Sequence, residues 1–287
     1  MQGLLIAFIP VIVLLAAGYA MARWLRFGSA SLTVILAYAI IPPYLFHSLL
    51  GNLNSKSTLT VAGIAAAIAL AGHFLIPMAP KLIKRNINSA AGLPNTLFFA
   101  LPVLSIAWNL KSSTRMAIAV MFVTIALVIT ALQYREKSFN ALRNEPWVFG
   151  LIAALIFQFG GFSSKWAVDA LDPLIVAAPA IALVYVGGML HPIGGFGRSD
   201  IWIAIGVRFL LGFLIAFIGI KLLSVPKFLH STVIVAAMAP PATKALALAN
   251  TSGSSGSRAG GDQQLISVGI IAALVLYLFY PKLAALF

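Results

Sequence analysis

Two proline-marked stretches hold the residues best suited to chemistry in this chain. One is Gly92-Leu93-Pro94-Asn95-Thr96-Leu97, followed by Pro102; the other is Met238-Ala239-Pro240-Pro241-Ala242-Thr243-Lys244. Each interrupts an apolar run. A proline inside a helix withholds an N–H and clashes with the preceding turn, so it breaks or kinks the helix. Residues after Pro94 then begin a new half-helix, whose free N–H groups and positive dipole end attract anions. Asn95 adds an amide that can serve a substrate or cap the half-helix. Lys244 sets a cation just behind the second break. A lysine at the bilayer centre costs on the order of 3 kcal/mol, and no acid lies within an apolar run to offset it. An anionic substrate would supply the missing charge; snorkelling to the interface is the alternative. Asn95, Lys244, Thr96, Thr243, Tyr44 and His47 form the candidate substrate-binding set, and Pro94, Pro102, Pro240 and Pro241 the candidate crossover.

Other groups admit blander roles. Arg208 lies two turns into an apolar run, where snorkelling or binding helix-end carbonyls suits it. His47 and His73 read equally as hydrogen-bonded structural groups. Tyr44, Phe46, Phe98, Phe99 and Trp108 could pad a cavity, pack the core or face lipid. No metal-ligand motif, Gly-x-Ser-x-Gly elbow or phosphate loop is present, and there are no cysteines, so no cofactor and no enzyme chemistry is expected.

The elements that must position these residues follow from composition. The 287 residues are 61% hydrophobic and only 9% charged, with a mean hydropathy of +1.03. Soluble domains carry about 25% charged residues, so this chain cannot build a water-facing surface. It reads as an all-α, multi-pass membrane protein. Its net charge of +13 then points to basic loops and lipid headgroups rather than nucleic acid. A span needs about 20 apolar residues, and ten candidates lie near 4–22, 31–50, 59–80, 90–109, 115–133, 146–163, 173–191, 201–223, 231–250 and 264–280. The stretch Thr251–Gly261 reads as a flexible connection. Asp169 and Asp172 are placed just outside a span, near the outer face. Ten basic residues follow odd-numbered spans, seven follow even-numbered ones, and Arg208 and Lys244 fall inside spans. That bias puts both termini on the extracytoplasmic side of the cell membrane.

The ten spans divide as 1–143 and 144–287. Prolines recur at matching places, Pro42 and Pro43 against Pro179 in the second spans, and the two crossover sets in the fourth. Five spans per half make the second half inverted. Inverted repeats with discontinuous helices point to a secondary transporter.

Leu93-Pro94-Asn95-Thr96-Leu97 with Pro102 resembles the fourth-helix crossover of plant PIN-type auxin carriers and the wider auxin efflux carrier family. Gly18-Tyr19-Ala20 resembles that family's first helix, Ile41-Pro42-Pro43-Tyr44-Leu45-Phe46 its second, and Met238-Ala239-Pro240-Pro241-Ala242 its ninth-helix crossover; Arg208 matches an eighth-helix arginine. The resemblance runs over the whole chain. It implies an elevator carrier of the bile acid/sodium symporter fold. Spans 1, 2, 6 and 7 would form the scaffold and homodimer surface, and spans 3–5 and 8–10 the moving domain. Substrate would sit at the crossing of spans 4 and 9, with Asn95 near its carboxylate. Spans 5 and 6 are joined by about a dozen residues rather than a long hydrophilic loop, as in a compact prokaryotic-like member. Lys244 is not carried over from the family.

The expected function is therefore secondary transport, by efflux or uniport, of small organic anions such as auxin-like or dicarboxylate compounds. A sodium-coupled symporter of the bile acid type is the alternative.

Overall fold

In hydrocarbon a chain must satisfy its own backbone donors and acceptors, and the α-helix does this segment by segment. A computed structural model describes residues 2–25, 34–50, 55–78, 93–108, 111–133, 145–162, 165–191, 193–241 and 256–284. Ten helices occupy them: α1 (Gln2–Trp24), α2 (Ile35–Leu49), α3 (Ser55–Met78), α4 (Thr96–Trp108), α5 (Ser112–Gln133), α6 (Pro146–Phe159), α7 (Lys165–Gly188), α8 (Ser199–Leu222), α9 (Lys227–Ala237) and α10 (Gly256–Ala284). No strand occurs among the described residues; their one β-type contact is an isolated bridge. Five helices, α1, α3, α5, α7 and α8, are long and apolar enough to cross a membrane.

Each helix falls on one of the expected spans, but some ends move. α7 begins at Lys165, so Asp169 and Asp172 lie in its first two turns rather than before it. Nothing between 165 and 173 breaks a helix, and Pro173 is tolerated inside one. α10 begins at Gly256, so residues 256–261 are helical where a flexible connection was expected. Extending an existing helix costs far less than nucleating one, which lets weak formers join the apolar stretch after them.

Two helix pairs are packed most closely, α1 with α7 and α2 with α6. Small residues make this possible. A Cβ on Gly18 would strike the Val184 carbonyl, one on Gly187 the Leu15 carbonyl, and one on Gly150 the Pro42 carbonyl. In hydrocarbon, helices gain little by hiding apolar surface from one another, so close backbone approach supplies the attraction instead. α3 packs against α5 and α8. The outward faces carry large apolar side chains, with Phe159 at 82% and Val176 at 80% exposure. Such a surface suits lipid and not water.

Candidate functional site at a crossing of half-helices

The prolines leave local marks that converge on one place. In α2, residues Ile35–Ile40 form a widened turn that ends just before Pro42 and Pro43. In α4, Thr96–Ala100 does the same ahead of Pro102, with the Ala100 N–H donating to the Asn95 carbonyl at 3.1 Å. A proline ring collides with the turn before it, and a wider turn relieves that crowding. Widened turns of this kind are frequent at functional sites.

α4 begins at Thr96, and α9 ends at Ala237. The two breaks meet there. Pro94 and Pro241 pair as an antiparallel bridge, and the Asn95 N–H donates to the Pro240 carbonyl at 2.8 Å. Neither bridging proline has an N–H to give, so a neighbouring amide makes the rung. The Asn95 side chain accepts from the Phe98 N–H at 3.2 Å, which is an N-cap. Asn95 and Thr96 are both buried, and the Thr96 hydroxyl has no hydrogen-bond partner among the described residues.

The two helix ends are treated differently. The end of α9 carries the negative pole of its dipole. Arg208, reaching from α8, donates through Nη2 to the Ala237 carbonyl at 2.9 Å and to the Ala239 carbonyl at 3.1 Å. Tyr277 of α10 donates to the Val235 carbonyl at 2.7 Å. Gly212 makes room, since a Cβ there would run into the Ala237 carbonyl and crowd Arg208 Nη1. Among the described residues the start of α4 has no such charged partner. Its first turn holds no acid, and the two ion pairs among the described residues, His47–Asp172 and Arg198–Asp200, lie elsewhere. Arg208 is itself only 2% exposed and has no carboxylate partner among the described residues. Among the described residues the crossing therefore combines a compensated negative pole, a positive pole capped by Asn95 alone and a buried guanidinium.

A cavity of about 20 Å³ adjoins the crossing. It lies where the widened turns of α2 and α4 face the Pro179 region of α7, lined by Ile40, Tyr44, Leu97, Phe98, Pro102 and Pro179 among others. That volume holds about one water, whereas pockets for small molecules run to about 300–1,000 Å³. This cavity is thus too small for an organic anion in this conformation. A larger groove of about 620 Å³ between α8 and α10 is lined by apolar residues such as Phe209, Phe213 and Ile271. It offers no charged group to orient an anion.

Of the expected site residues, Asn95, Thr96, Pro94, Pro240 and Pro241 are brought together, and Tyr44 lines the small cavity with Leu97 and Phe98. Its hydroxyl has Ser105 beside it, outside strict hydrogen-bond geometry. Pro102 does not belong to the crossover. It lies inside the continuous helix α4, because the wider turn before it absorbs the clash that would otherwise break the helix. His47 sits apart, its Nε2 3.1 Å from Asp172 Oδ1 of α7. Thr243 and Lys244 lie outside the described residues. Arg208 has the carbonyl-binding role open to it from sequence. Tyr277 and Gly212 were not anticipated. A tyrosine in an apolar final span was the available signal for the first, and nothing local marked the second.

No protein-family model matches the chain, and no curated protein matches it.

Proposed function

We propose that this chain is a membrane carrier for small organic anions such as mono- or dicarboxylates. The observation that carries this reading is the electrostatic asymmetry of the crossing. The one helix end that would repel an anion is neutralised by Arg208 and Tyr277, while the end that attracts one meets no carboxylate among the described residues and is capped by Asn95 alone. Asn95 and the unpartnered Thr96 hydroxyl lie at that end, suited to orient a carboxylate.

In this reading the chain is a ten-span inverted repeat, residues 1–143 and 144–287, with both termini outside the cell membrane. The close pairs α1–α7 and α2–α6 support it, since exchanging the two five-helix halves turns one pair into the other. These four helices form the scaffold and the homodimer surface, and the rest move against them as an elevator. The small cavity between α2, α4 and α7 lies on that seam. Lys244, three residues after Pro241 in sequence, adds a second cation to the chain here. An inside-negative potential favours outward movement of one negative charge by about 2.3 kcal/mol per 100 mV, so export of a monoanion needs no coupling ion.

Counterflow of radiolabelled carboxylates in proteoliposomes tests the proposal. Saturable flux that falls in Asn95→Ala and Lys244→Ala supports it. Unchanged flux in both variants, or no saturable flux for any carboxylate tried, removes it.

A further inference from the structure

The end of α9 poses an accounting problem. A helix that stops at bilayer depth leaves as many as four carbonyls without intrahelical partners. Discontinuous membrane helices commonly resolve this by letting unwound carbonyls coordinate a free cation, sodium above all. Here five of the acceptors are already engaged. Tyr277 donates to the Val235 carbonyl, the Ala239 N–H to that of Ala236 at 3.3 Å, Arg208 to those of Ala237 and Ala239, and Asn95 to that of Pro240. A single Nη2 bridges two carbonyls of the unwound segment, the position a coordinated ion would take. The charge is unpaired by any carboxylate among the described residues; the nearest acid along α8, Asp200, is held by Arg198.

We infer that Arg208 is a tethered cation filling a carbonyl set that would otherwise bind free sodium, so the crossing carries its own positive charge and takes no exchangeable cation there. The consequence for transport rests on the carrier reading above; the binding claim does not. A guanidinium never loses its charge at physiological pH. It costs no entropy of association, because the chain holds it in place. Gly212 is part of the same device, since any side chain at that position would separate α8 from the Ala237 carbonyl. The positive field is then present in loaded and empty carriers alike, and sodium has no free-energy lever on the cycle at this position.

Thermal unfolding of the purified full-length chain, in sodium chloride against choline chloride at equal ionic strength, tests the inference. The wild type is expected to unfold at the same temperature in both. Arg208→Gln uncovers the carbonyls and gains about 2–4 °C in sodium. Arg208→Lys keeps a tethered charge and stays insensitive. A sodium-induced rise in the wild type overturns the inference, and so does a folded Arg208→Gln that gains nothing. If Arg208→Gln does not fold, the wild type and Arg208→Lys decide: insensitivity of both supports the inference, and a sodium response in either overturns it. The outcome is separable from the carrier question. Sodium insensitivity without carboxylate flux defeats the carrier and leaves the tethered cation standing. Saturable carboxylate flux that requires sodium, with a sodium-stabilised wild type, does the reverse.

Discussion

The start of α4 and the end of α9 touch through one backbone bridge, yet they solve opposite problems by opposite means. The end of α9 is crowded with donors, an arginine from α8, a tyrosine from α10 and an amide from α4. The start of α4 has one side-chain cap, its own Asn95, and a threonine hydroxyl left over. Carbonyls abandoned in hydrocarbon must be satisfied for the protein to fold. A positive helix start can be left for a ligand. The difference teaches that one end is satisfied by donors from other segments and the other by its own cap, with a hydroxyl to spare that the proposed carrier would use for binding.

That division can be broken at several points. The largest effect is expected from Gly212→Ala, which forces a methyl against the Ala237 carbonyl and the Arg208 side chain. Overpacking against backbone should cost about 3 kcal/mol, read as a lower unfolding temperature. Tyr277→Phe strands the Val235 carbonyl and should cost about 1–3 kcal/mol. A neutral result in chemical denaturation would show that the α9 end does not depend on its donors. At the other end, Asn95→Ala should lose only about 1 kcal/mol, the ordinary worth of an N-cap. Asn95→Asp sharpens the contrast, because aspartate caps as well as asparagine but carries a negative charge. Its stability should stay close to wild type while carboxylate flux falls about tenfold or more, since like charges brought together cost several kcal/mol. If both persist, the α4 start is a cap and nothing further. The smallest effect is expected from Asp172→Asn, which loosens the pair with His47 away from the crossing. Asp172 is 61% exposed, and solvent-screened pairs of this kind contribute less than about 1 kcal/mol.

Much of this was legible in the residues. The helices could be counted, because apolar runs and bilayer thickness leave little freedom. The two breaks could be placed, because Pro94 and the Pro240–Pro241 pair interrupt apolar runs, though the same signal at Pro42–Pro43 falls inside α2. Asn95 beside the first break advertised a cap. What could not be read was anything that depends on which helices touch. Tyr277 reaches Val235 across 42 positions, and Arg208 reaches Ala237 across 29. Pro102 looked like a break because sequence shows the clash but not the wider turn that absorbs it. Asp172 looked like a loop acid because hydropathy marks where a membrane core ends, while a helix continues past it.

The bridge between Pro94 and Pro241 has a consequence for hydrogen exchange. Three of the four residues named at that contact, Pro94, Pro240 and Pro241, have no amide proton at all. The fourth, Asn95, carries one, and it is the proton that spans the two segments. Amide exchange requires that such a bond open. The rate at which the Asn95 proton is replaced by deuterium therefore clocks the parting of the two segments, with no amide signal from the three prolines beside it.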